Sequence, residues 1–369
     1  MHAAQVFGRD RRRRSLAALV MAVPLLLAAC SAGTPSAAPA SARPSEPALP
    51  STAPESAAPA SPAAGETLEL AYISFAVANS YDAPMLAAAR AAAAAGNANL
   101  TVFDGNLNPQ TQTQQLQDAI ASGKYDGIIL QPVYGPALVP GAEQAIAAGI
   151  HIGNIDQILG DDNTTADSQV EGQLTNVVFV PSELGRKIGE MVVEACADLN
   201  PCEVGYIWSV KAAALDAALK KAFDEATSVN PNIKIVAEGE SFYTTPAGLA
   251  AAQNMLASHP EIDVITGADQ AITGAVTAVA DAGLKDKVKL VGYGGGTIAF
   301  QDIKAGNRYG TTMQAPATEG GLGTKMFIDA IRAGGVAQPG IDVLADLPDG
   351  GVVTAENVDQ FLTLGEWPG

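Results

Sequence analysis

The chain has 369 residues, 48% of them hydrophobic and 16% charged, and 21 Lys plus Arg against 39 Asp plus Glu give a formal charge of −18. Domains hold about 100–200 residues each, so two globular bodies are expected, with enough apolar material for full cores; wholesale disorder is excluded. The acidic balance disfavours a nucleic-acid partner, and three cysteines with three histidines leave little material for a structural zinc site.

Residues 1–29 read as an export signal. Arg9 and the four arginines at 11–14 form a basic start, and the apolar run 16–27 is too short to span a bilayer comfortably. The run ends in Leu27-Ala28-Ala29-Cys30, which resembles the bacterial lipobox. That resemblance implies cleavage before Cys30 and a diacylglycerol on its thiol. Arg13-Arg14-Ser15-Leu16 also resembles a twin-arginine signal, so two export routes stay open. The leader holds five Arg and one Asp, which leaves the exported remainder at −22. Residues 30–66 are almost entirely Ser, Ala, Pro, Thr and Glu without apolar periodicity, the composition of a disordered tether.

From Leu68 apolar runs of strand length alternate with Ala-rich helical stretches. Strands are expected at 68–75, 100–103, 127–130 and 150–155, with helices at 84–95, 109–122 and 136–148 between them. Asn108-Pro109 supplies an N-cap followed by proline at the first helical position. After a polar insert at 160–173, helices are expected at 182–196, 212–227, 246–258, 274–282, 297–305 and 317–333. The intervening strands fall at 204–208, 233–237, 264–266, 288–291 and 309–313. Continuous apolar strands joined by helices mark parallel sheets covered on both faces.

Eight short segments carry a family resemblance. They are Asn79-Ser80-Tyr81, Asp104-Gly105-Asn106-Leu107-Asn108-Pro109, Asp126-Gly127-Ile128-Ile129-Leu130-Gln131-Pro132, Ile155-Asp156-Gln157, Leu184-Gly185-Arg186-Lys187-Ile188-Gly189, Gly267-Ala268-Asp269, Val291-Gly292-Tyr293 and Met313-Gln314-Ala315-Pro316. In order and spacing the body resembles the ribose/galactose type of periplasmic solute-binding protein, which feeds ABC importers. The resemblance implies an α/β fold of two doubly wound parallel-sheet lobes joined by three crossover strands. A first lobe of 67–177 plus 316–342 and a second of 183–313 plus 345–369 are expected to close on a ligand. No cofactor and no nucleic acid is implied. The expected partners are a sugar or polyol and a membrane permease, with the protein a monomer held to the outer face of the cytoplasmic membrane by lipid alone.

Open α/β sheets bind ligands beyond the carboxyl ends of their strands. Asn79 and Tyr81 sit past the first strand, where the family places an amide and an aromatic ring against the sugar; a turn Asn and a lip Tyr are the alternative. Asp156 ends the fourth strand, where the family uses a carboxylate to accept two hydroxyl hydrogen bonds, and such charged bonds are the strong ones. Gln157 stands where sugar binders usually carry Arg. Trp208 and Tyr243 follow second-lobe strands and either stack on the ligand or fill core. Asp269 follows Ala268, which replaces the family's Asn, and Gln314 matches a family ligand contact. Gly294 replaces a common second Asp, and no Arg falls at 212–218. A pocket with less charge than a ribose site is therefore expected, which leaves a less hydroxylated sugar, a polyol or a nucleoside open.

Gly292-Tyr293-Gly294-Gly295-Gly296 lacks the Lys-Ser/Thr partner of a phosphate loop and reads as a strand-to-helix turn. The polar run Asp161 to Gln169 alternates like a calcium loop, but Ala166 stands in the glycine place and the twelfth-position Glu is missing. No nucleophile–base pair is evident, so catalysis is not expected. A receptor that presents its ligand to a membrane sensor is the alternative to an importer component. Cys30 being spoken for by lipid, Cys196 and Cys202 are expected to form a disulfide in an oxidising compartment.

Overall fold

The computed structural model describes residues 65–369; the leader, Cys30 and the tether up to residue 64 lie outside the described residues. Strands and helices alternate in the first lobe as β1 (Leu68–Ser74), α1 (Asp82–Ala95), β2 (Ala98–Asp104), α2 (Pro109–Ser122), β3 (Gly127–Leu130), α3 (Gly135–Ala147), β4 (His151–Asp156) and β5 (Thr175–Val178). The second lobe holds α4 (Pro181–Ala195), β6 (Cys202–Trp208), α5 (Ala214–Thr227), β7 (Ile233–Glu240), α6 (Thr245–Ser258), β8 (Val264–Ala268), α7 (Asp269–Asp281), β9 (Lys289–Gly294), α8 (Thr297–Lys304) and β10 (Gly310–Met313). The chain then returns through α9 (Pro316–Arg332) and β11 (Ile341–Asp342) to the first sheet. It ends on the second with β12 (Val352–Thr354) and α10 (Val358–Phe361).

Each lobe is built on one six-stranded sheet, in the orders β11-β5-β4-β3-β1-β2 and β12-β10-β9-β8-β6-β7. The first sheet is parallel throughout, and in the second only β12 runs antiparallel, against β10. In both sheets the chain steps outward from its first strand and then reverses, leaving a crevice between β1 and β3 and another between β6 and β8, where such sheets bind ligands. Every residue of β3 and β8 is buried, as strands covered on both faces require. Leu68, Leu70 and Tyr72 pack toward Met85 and Phe327 on one side of the first sheet, and Ala71 and Ile73 toward Leu116 and Leu138 on the other.

Local chemistry sets the helix starts. Asn108 Oδ1 accepts from the Thr111 N–H at 2.9 Å and Pro109 opens α2. On α9, a Cβ at Gly320 would stand 2.1 Å from the Met85 carbonyl oxygen, so glycine is what lets α9 lie against α1. One expected boundary moves. Helix α7 begins at Asp269, five residues ahead of the expected Gly274, because β8 runs into it without a loop. In the polar loop, Asp162 accepts from Thr164 and Gln169 bonds Asp162, so those side chains are used within the loop. No helix among the described residues is long and apolar enough to cross a membrane.

Cys196 and Cys202 are joined, with Cα atoms 5.6 Å apart, and tie the end of α4 to the start of β6. The closed loop is short, so its loss is expected to cost on the order of 2 kcal/mol by loop-closure entropy. Thiol titration of the unfolded, unreduced protein from residue 31 onward should find no free thiol; two reactive thiols per chain contradict the bridge.

Candidate functional site

The two crevices face one another, and one cleft is lined from both. Phe75 follows β1, Tyr81 and Asp82 open α1, and Asp156 ends β4 with Gln157 after it. The second lobe contributes Tyr243 after β7, Ala268 at the end of β8, Gln270, Tyr293 and Gly294 on β9, and Gln314 after β10. Asn79, Phe179, Leu215 and Trp367 complete the lining. The empty space, counting its open part, is about 400 Å³. Phe75 meets Tyr243 edge to face across it, centroids 5.9 Å apart.

Six of the eight expected contacts thus come together: Asn79, Tyr81, Asp156, Gln157, Tyr243 and Gln314. Asn79 has two jobs. Its Oδ1 accepts from the Tyr81 N–H at 2.8 Å in a turn, which leaves its amide N–H groups for the cleft. Asp156 sits in the left-handed region at φ +68°, a conformation Asp tolerates better than most side chains, and this turns its carboxylate off the end of β4.

The structure does not bring Asp269 or Trp208 to the cleft. Asp269 is the first residue of α7 and points beneath the floor. It pairs with Arg308 at 2.9 Å, both side chains fully buried, and accepts from Thr311 Oγ1 and from the N–H groups of Gly295 and Gly296. The glycine-rich turn therefore closes over a carboxylate of the protein's own. Trp208 packs on Tyr206, donates to Glu238 at 3.1 Å and lies under Lys211. Sequence reading missed Trp367, whose indole N–H donates to the Gly294 carbonyl at 2.8 Å and whose ring meets Tyr81 edge to face at 5.4 Å. A Cβ on Gly294 would stand 2.6 Å from Trp367 Cζ2, so the glycine makes room for this indole. Glu366, beside it, accepts from the Thr318 N–H, so the C-terminal segment touches both lobes.

The charge of the site also differs from expectation. Among the described residues no Lys, Arg or His lines the cleft, and Asp82 lines it beside Asp156. Gln131 donates from one amide nitrogen to Asp82 and to Asp156, the latter at 2.9 Å, and its carbonyl accepts from Tyr72 and the Phe75 N–H. Glu319, in the first turn of α9, accepts from the Tyr81 hydroxyl at 3.2 Å, and no donor reaches its other oxygen. Burial pushes Asp156 up to about 7, against the hydrogen bond from Gln131 that pulls it down. Asp82 and Glu319 are pushed well above the carboxylate range, by burial first and by the Asp156 charge second. On the second lobe Asp216, beneath Tyr243, rises to about 6 through burial.

Residues 70–335 match the family model described as a periplasmic binding protein domain. The chain belongs to that family. The periplasmic binding protein described here is 30% identical over 231 residues to the D-allose-binding periplasmic protein of Escherichia coli, covering 62% of this chain and 72% of that one. It is 32% identical over 190 residues to the D-ribose/D-allose-binding protein of Pseudomonas aeruginosa, covering 50% and 56%. Among solved structures it resembles a galactofuranose binding protein (TM-score 0.70, 19% identity, 80% of this chain and 97% of that). It also resembles the Caulobacter myo-inositol binding protein bound to myo-inositol (TM-score 0.67, 22% identity, 80% and 96%). These likenesses carry the two-lobed parallel-sheet fold.

Proposed function

We propose that this binding protein receives a small, sugar-sized polar solute between its lobes and delivers it to an ABC importer. The cleft at the strand ends of both sheets, walled by side chains from each, is the observation that carries the reading. Asn79, Tyr81, Asp156, Gln157, Tyr243 and Gln314 are its proposed contacts. The relatives named for allose and ribose support a solute of that size. Cys30 is the proposed lipid site, supported by the lipobox around it, and the Ser/Ala/Pro tether would let the body work in solvent away from the membrane face. The protein binds its solute and does not convert it.

The fold supports closure. The chain passes between the sheets after β5, after β10 and around β11, and a solute that touches both walls binds the closed arrangement better than any open one. A thermal-shift screen of sugars, polyols and nucleosides supplies the solute. Small-angle scattering should then show a smaller radius of gyration with it than without it. An unchanged radius with bound solute contradicts hinge closure.

A further inference from the structure

We propose that the solute is a hydroxylated amine taken as its cation, its ammonium seated on Asp82 and Asp156 with Glu319 behind them. The inference rests on the cleft being the solute site. Asp269, buried beneath the floor, has the Arg308 guanidinium as its counter-charge, while the lone buried Asp216 is held by neutral donors, the Ser209 N–H and the Tyr243 hydroxyl. Asp82, Asp156 and Glu319 are buried together with neutral partners only, the Gln131 amide for the two aspartates and the Tyr81 hydroxyl for Glu319. Among the described residues no Lys, Arg or His lines the cleft or pairs with these three acids. Buried carboxylates without a counter-charge are costly and hold protons until a cation arrives. Aromatic rings from both lobes face the same space, among them Tyr81, Tyr243 and Trp367, and ring faces attract an ammonium. The amides of Asn79, Gln157 and Gln314 offer donors and acceptors suited to hydroxyl groups. The acidic chain as a whole draws cations toward it.

The acids face Tyr72 on β1, Tyr81 ahead of α1, Asp104 at the end of β2 and Glu366 near the C-terminus, all neutral or negative. An arriving ammonium therefore displaces protons, and binding weakens as pH falls. The test is titration calorimetry on the full exported body with matched pairs: glucosamine with glucose, an inosamine with myo-inositol, and 1-deoxynojirimycin with allose and ribose. At pH 7 at least one amine should bind about tenfold or more tighter than its neutral match. Runs in phosphate and in Tris should show roughly one proton released per amine bound. Asp82→Asn should lose most of that preference. If neutral members bind as tightly and without proton release, the cation is wrong and the solute-receptor reading stands. If no member of either series binds at millimolar concentration, the amine proposal fails, and the wider screen of sugars, polyols and nucleosides decides the solute-receptor reading.

Discussion

Truncating Arg308 to alanine should lower the unfolding free energy by about 3–5 kcal/mol, the loss typical of a buried ion pair broken on one side. Arg308 reaches Asp269 at 2.9 Å, Thr273 at 2.7 Å and Asp302 at 3.2 Å with no exposed side-chain surface. Removing it leaves the Asp269 carboxylate on two glycine N–H groups and a threonine hydroxyl, without a counter-charge. The solute affinity of the folded variant should change less than threefold, since neither residue lines the cleft. Asp269→Asn, measured beside it, separates the two roles this residue has been given. Lost stability with intact affinity is the expected result. A tenfold loss of affinity with stability intact would return Asp269 to the binding site.

That reassignment shows which kinds of position the sequence makes legible. Strand runs such as Gly127–Leu130 are readable because a strand buried on both faces has to be apolar along its whole length. Asn108 is readable because a cap acts on a donor three residues away. Asp156 is readable because the end of a parallel strand has a fixed place at the cleft. Asp269 is not, since one missing loop between β8 and α7 turns its side chain from the cleft to the floor. Asp82 and Glu319 stand in the first turns of helices 237 residues apart, and only the packing of α9 on α1 brings them to one cluster. Trp367 lies in a segment without periodicity, and its one sequence trace is the small residue at Gly294 that gives it space. The disulfide was within reach because few cysteines leave few pairings.

The ligand-free protein should be more stable at pH 5 than at pH 7, and Asp156→Asn should flatten that dependence. Asp156 is only 3% exposed, and burial lifts its carboxyl from the ordinary 3.8 to about 7. Below the ordinary value both folded and unfolded chains hold the proton and no difference arises. Above it the unfolded chain releases the proton while the folded chain keeps it, so stability falls with rising pH until about 7 and then levels. The slope for one such group is about 1.4 kcal/mol per pH unit. Asp82 and Glu319 act in the same direction over a wider range, and Asp216 up to about 6, so the wild-type decline should exceed this single share. Asparagine keeps the side-chain shape and also tolerates the left-handed backbone at φ +68°, so the variant removes the titration without straining the turn. Urea unfolding at pH 4, 5, 6 and 7 for both proteins measures the difference. The same variant should weaken solute binding by about tenfold or more, because hydrogen bonds to a charged group contribute roughly 1.5–3 kcal/mol. Equal slopes in the two proteins would mean that the ligand-free cleft stands open with Asp156 in water. The buried acid cluster would then form only on closure, around the solute.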